Sequence, residues 1–142
     1  MADAERSLGR CLVASLDHGS DLLAEIERIA TEHDVCFADV RGIGSLERAV
    51  VTFYDQATKE DKELVFERPL MLLAMAGSVI GGKDGGAHVH LILADDSGRV
   101  VGGDLSPGCR VYSAELMLTE LTGTPASREV DQETGLARLR FG

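Results

Sequence analysis

The chain has 142 residues, with 24 acidic against 14 basic side chains and a formal net charge of −10 at neutral pH. That length suits one compact unit over residues 1–142, able to build a core without disulfide or metal staples. A composition of 44% apolar and 27% charged residues excludes a disordered chain, and the acidic balance weighs against unaided nucleic-acid binding, which needs Lys and Arg to displace counterions.

Leu8 to Leu16 is short, apolar-rich and bounded by Asp17-His18-Gly19, which predicts a strand. Ser20 is a suitable helix N-cap, with Asp21 in the first turn. Leu22, Leu23, Ile26, Ile29 and Ala30 then recur at helical spacing, so an amphipathic helix is expected over about residues 20–34. Val35 to Val40 is a short apolar run that Arg41-Gly42-Ile43-Gly44-Ser45 is expected to break. Ala49 to Tyr54 is β-branched and aromatic, hence a strand, and Leu64 to Glu67 pairs with it across a charged turn. Leu70 to Ile80 is almost wholly apolar and short, which favours a strand buried on both faces.

Ala87 to Ala94 and Arg99 to Leu105 flank Asp95-Asp96-Ser97-Gly98, the clearest hairpin in the chain, with Gly98 suited to a left-handed loop position. Val111 to Leu121 fits a helix as well as a strand. A turn at Glu133-Thr134-Gly135 and a last strand at Leu136 to Phe141 complete the reading. One helix followed by many strands argues an α+β fold with a mostly antiparallel sheet.

The longest apolar run is too short to span a bilayer, and the N-terminus shows no apolar signal stretch, so no membrane role is expected. Cys11, Cys36 and Cys109 are odd in number and form no CxxC. Reduced, buried thiols in a cytoplasmic protein are the expectation.

His88 and His90 are the residues that carry chemistry. Side chains at i and i+2 of a strand share a face, so both imidazoles project together while Val89, Leu91 and Leu93 face the other way. Such a pair is a platform for Zn²⁺ or another divalent transition metal; the alternative is two partly buried, hydrogen-bonded histidines. A three-residue loop places His90 opposite Asp104 and supplies a third ligand. A two-residue loop would turn Asp104 to the other face, unless a bulge at Gly102-Gly103 restored it. Glu115, in an apolar stretch, is either an outward-facing charge or a partner orienting a metal-bound His. Gly77 to Lys83 matches GxxxxGK, but a strand follows it rather than the helix that a phosphate cradle requires. No GxSxG occurs, and the arginines are scattered rather than gathered into a basic stripe.

In order, the chain shows Gly42-Ile43-Gly44-Ser45-Leu46, the apolar run from Leu70, the AHVHLILADDSGRVVGGDL hairpin, Ser113-Ala114-Glu115-Leu116, and Arg128…Asp131…Thr134-Gly135. From about Leu8 to the C-terminus this closely resembles the Plants and Prokaryotes Conserved (PPC) domain. That domain follows AT-hooks in plants and stands alone in bacteria and archaea. The resemblance implies a homotrimer, a strand at Val111 to Leu121, and a metal site using the H-x-H pair. Asp104 stands where a third His is usual. The family's DNA-binding label leans on the AT-hook, which this chain lacks, and −10 per chain becomes −30 in a trimer. The expected function is a metal- or ligand-binding trimer at His88, His90 and Asp104, with metal-assisted hydrolysis the reaction if there is one. The alternatives are a DNA-associated regulator and a structural trimer that docks other proteins.

Overall fold

The computed structural model describes residues 1–142. Nine strands and one helix follow in the order β1 (Ser7–Leu16), α1 (Leu22–Glu32), β2 (Ala38–Asp55), β3 (Glu60–Phe66), β4 (Leu70–Ile80), β5 (Gly86–Ala94), β6 (Val100–Leu105), β7 (Arg110–Thr122), β8 (Ala126–Val130) and β9 (Ala137–Phe141). The main sheet runs β1-β7-β2-β4-β5-β6, and β3 pairs with the second half of β2. Every pairing is antiparallel. The long β2 also meets β6 through Val51↔Leu105 and Thr52↔Asp104. It thereby brings the far edge of the sheet round to itself. The α+β class and the strand over Val111 to Leu121 are both observed.

Helix α1 covers one face of the sheet. Leu22, Ile26, Ile29 and Ala30 are buried at the spacing of a single helical stripe. They pack into a core with Val40, Leu46, Leu72, Val89, Leu91, Leu93, Leu116 and Leu118. On the solvent side Arg28 bridges Glu25 and Glu32. The N-cap is Asp21 rather than Ser20. Its Oδ2 accepts from Ala24 N at 3.0 Å and its Oδ1 from Gly108 N at 2.7 Å, so one carboxylate caps the helix and ties it to the turn before β7. Ser20 instead donates to Asp17 O.

Three further expectations need correcting. Gly42 and Gly44 do not break a strand; they lie within β2, where the register shifts against β4. A Cβ at Gly42 would stand 2.4 Å from Glu115 O, and one at Gly44 2.3 Å from Ser113 O, so the glycines allow β2 to approach β7 closely while its other edge bulges against β4. Strand β4 is not buried on both faces: Met71 and Leu73 are exposed, and the register shift between Leu72 and Ala74 moves the inward positions from Leu70 and Leu72 to Met75 and Val79. Cys11 and Cys36 are exposed. Cys11 lies on an edge strand, and Cys36 sits between the inward-facing Val35 and Phe37. Only Cys109 is buried; its thiol donates to Val50 O at 3.2 Å, and burial pushes its pKa up.

The β8–β9 hairpin forms a separate two-stranded sheet against the rest of the molecule. Its turn is organised by Asp131. Oδ1 accepts from Thr134 N and Thr134 Oγ1, and Oδ2 receives Arg138 Nη1 at 3.0 Å. The Thr134 backbone bond and the Arg138 bond hold this carboxyl down to about 2. A depressed carboxyl stabilises the fold above its unfolded pKa and ceases to do so as pH falls through its folded one. The Thr134 amide resonance is therefore expected to titrate with a midpoint near 2, and D131N to abolish that titration. A midpoint close to 4 would show that the turn does not hold the charge.

Candidate metal centre

The hairpin that carries the two histidines forms as its residues dictate. Gly98 takes φ +81 at the third loop position, and Asp95 N donates to Arg99 O at 3.0 Å. The Asp95 carboxylate accepts from Ser97 Oγ, Ser97 N and Arg99 N, which closes the loop. With the loop so set, Ala94 pairs with Val100 and His90 with Asp104. No bulge at Gly102-Gly103 is needed. Val89, Leu91 and Leu93 are buried behind β5, while His88 and His90 project from its front with side chains 53% and 68% exposed.

His88, His90 and Asp104 converge. Their donor atoms lie within 4.8 Å of one another. Asp104 Oδ1 stands 2.7 Å from His90 Nε2 and 3.2 Å from His88 Nε2, and the two imidazole rings meet edge to face at 5.3 Å. Ligands about 2.0–2.1 Å from a tetrahedral Zn²⁺ are separated by roughly 3.3 Å; the His88–Asp104 separation of 3.2 Å is already near that spacing, and small side-chain rotations of the exposed imidazoles bring the others to it. Two neutral nitrogens and one carboxylate are a borderline donor set suited to Zn²⁺ and its first-row neighbours.

Glu115 is not brought to the pair. It lies on β7 between Ser15 and Ile43, with β2 and β4 intervening before β5. His18 makes a separate contact, with Tyr112 O at 3.2 Å and Glu47 Oε1 at 3.2 Å.

In front of the histidines lies a cleft of about 1120 Å³. One wall is the β2–β5–β6 surface, with Phe53, His88, His90 and Asp104; the other is the β8–β9 hairpin, with Arg128, Val130 and Leu136. Tyr54 OH donates to Thr134 O at 2.6 Å, and Arg128 donates to Gly86 O and Ser78, fastening the hairpin across the cleft. Sequence reasoning had no means of placing Arg128 here. Its strand is short and polar, and only its alternation with Ala126, also half-buried, marks an inward position.

The fold and the site together define a protein with one helix on a mostly antiparallel sheet and a His-His-carboxylate group, able to hold a metal, on the wall of a cleft. The chain belongs to the Plants and Prokaryotes Conserved (PCC) domain family, whose model matches residues 3–122. It is similar to the solved structure of a metal-containing protein from Archaeoglobus fulgidus, at 32% identity and a TM-score of 0.90, covering 97% of this chain and 98% of that one. It is also similar to a plant- and prokaryote-conserved protein from Pyrococcus horikoshii, at 27% identity and a TM-score of 0.87, with 97% of each chain covered. Over 125 residues, 87% of this chain, it is 37% identical to the bifunctional protein GlmU of Synechococcus sp. strain JA-3-3Ab, of which the match spans 19%.

Proposed function

We propose that the protein is a metal-binding module in which His88, His90 and Asp104 hold Zn²⁺ or a similar divalent ion and leave its remaining position open to the cleft. The observation that carries this reading is the convergence of three donor atoms within 4.8 Å on one exposed sheet face. The likeness to a metal-containing archaeal protein of 32% identity supports it. A bound ion of this kind supplies Lewis-acid polarisation of an oxygen on whatever molecule enters. The test is metal analysis of protein purified without chelator: near-stoichiometric metal is expected, and metal-free protein overturns the reading.

The module is proposed to work as a homotrimer. The sheet face opposite α1 exposes Val13, Ile43, Met71, Ile92, Val100 and Met117, apolar side chains that neighbouring copies would cover. Light scattering is expected to give three times the 15.2 kDa chain mass, reduced in M117E. A monomer at micromolar concentration would overturn this. The three unbridged cysteines suit a cytoplasmic setting, and no helix is long and apolar enough to cross a membrane.

The DNA-binding alternative finds little support in the charge distribution. Eight of the eleven arginines are paired with carboxylates: Arg10, Arg28, Arg41, Arg48, Arg68, Arg110, Arg138 and Arg140. That leaves Arg6, Arg99, Arg128 and the lysines Lys59, Lys62 and Lys83 unpaired, against 24 acidic side chains, so the surface offers phosphate little net positive charge.

A further inference from the structure

Three arginines have no carboxylate within 4 Å, and Arg128 differs from the other two. Arg6 is spent on Leu121 O and Thr124 O and lies over the Phe37 and Phe141 rings. Arg99 is exposed at the tip of the β5–β6 hairpin. Arg128 is half-buried on the cleft wall, and burial lowers its pKa. Nη1 donates to Gly86 O at 3.0 Å, and Nη2 donates to Ser78 Oγ at 2.7 Å and Ser78 O at 3.4 Å. These acceptors are neutral. They orient the guanidinium without cancelling its charge, and Nε–H is left without an acceptor. A desolvated cation of this kind gains most from an anion, and its fork matches a carboxylate or phosphate.

The guanidinium also sits against the strand pair that carries His88. Ser78 pairs directly with His88 in the β4–β5 ladder. Facing side chains of such a pair lie on one side of the sheet with Cβ atoms about 5 Å apart. Arg128 therefore borders the His88 side of the donor group within the same cleft. At about 1120 Å³ the cleft is far larger than an inorganic ion needs, and it matches the upper range of small-molecule sites, about 300–1,000 Å³. Phe53, Val130 and Leu136 supply apolar wall, while Asp61 and Asp84, also in the lining, disfavour a ligand with many negative charges.

We propose that Arg128 is the anion anchor of this cleft: it takes the carboxylate or phosphate of a small, singly anchored organic acid whose second oxygen donor reaches the His88–His90–Asp104 group. The anchor rests on the metal reading only for that second contact. Glutarate and glycerol 3-phosphate are the probes, titrated calorimetrically into zinc-loaded and metal-free protein, and the better of the two identifies the head group. R128Q is expected to weaken binding at least tenfold in either form, and R128K to restore part of it. Y54F, which removes the other bond fastening the hairpin and leaves the contacts of Arg128 in place, should bind within a few-fold of wild type. Binding by R128Q equal to wild type, or no binding of either probe, overturns the proposal; so does a loss in Y54F as large as in R128Q, which would mean that Arg128 only fastens the hairpin. Arg128-dependent binding that zinc does not strengthen upholds the anchor and counts against the metal reading alone.

Discussion

Purified without chelator, the protein is expected to carry close to one divalent ion per chain, and H88A/H90A to carry none. The double substitution removes both nitrogen donors and leaves a lone, partly exposed carboxylate. Losing an outer partner of a metal ligand already costs ~10–100-fold in affinity, so losing two ligands should put binding beyond detection. Stability provides a second readout. An ion at about one hundred times its Kd stabilises the native state by about 2.7 kcal/mol, which corresponds to roughly 5–10 °C in Tm for a chain of this size. Zinc should raise the Tm of the wild type by that order and leave H88A/H90A unmoved. D104H, which supplies a third imidazole, should bind at least as tightly as Asp104. Equal zinc content in wild type and H88A/H90A would place the metal elsewhere.

The second large effect lies on the other face of the same strand. Leu91 is 2% exposed, between Met75 on β4 and Gly103 on β6. L91A should destabilise the fold by ~2–5 kcal/mol through lost burial and the cavity left behind, lowering Tm by roughly 10 °C. The substituted protein, while folded, should keep its zinc stoichiometry. H88A/H90A should show the reverse pattern: without metal its stability should differ from that of the apo wild type by no more than ~0.5 kcal/mol, since both rings are largely in solvent. Urea melts of the chelated proteins with parallel metal analysis read both. Loss of zinc from folded L91A would mean that the site depends on the packing behind β5, against the separation of faces that β-pleating provides.

These two results bear on what could be read before the structure. The β5–β6 hairpin was legible because its period, loop length and Gly98 all agree, and together they set the register that joins His90 to Asp104. Elsewhere the local signals conflict. The outer positions of β4 include Met71, Leu73, Ala74 and Ala76, so an exposed face reads as a buried one. The pair Gly42 and Gly44 reads as a break because a close approach between strands and a loop use the same residue. Val111 to Leu121 stayed open because Leu116 and Leu118 alternate while Leu121 does not; only its resemblance to a known domain favoured the strand that forms. Arg128 and the cleft depend on the β8–β9 hairpin folding across the sheet, and no local pattern encodes that contact.

That hairpin has a consequence for how the site could diversify. The family model ends at residue 122 and the hairpin begins at Ala126, yet the likeness to the Archaeoglobus fulgidus protein covers 97% of this chain, so the hairpin is a separate piece of a shared fold. It has its own two-stranded ladder and its own Asp131-centred turn, and reaches the sheet through a few anchors: Tyr54, Arg128 and the Phe37–Phe141 contact. The donor group belongs to the sheet, whereas the opposite wall of the cleft belongs to this appendage. Changes in the hairpin's side chains would therefore alter one wall of the cleft while leaving the His88–His90–Asp104 group and the core beneath it in place.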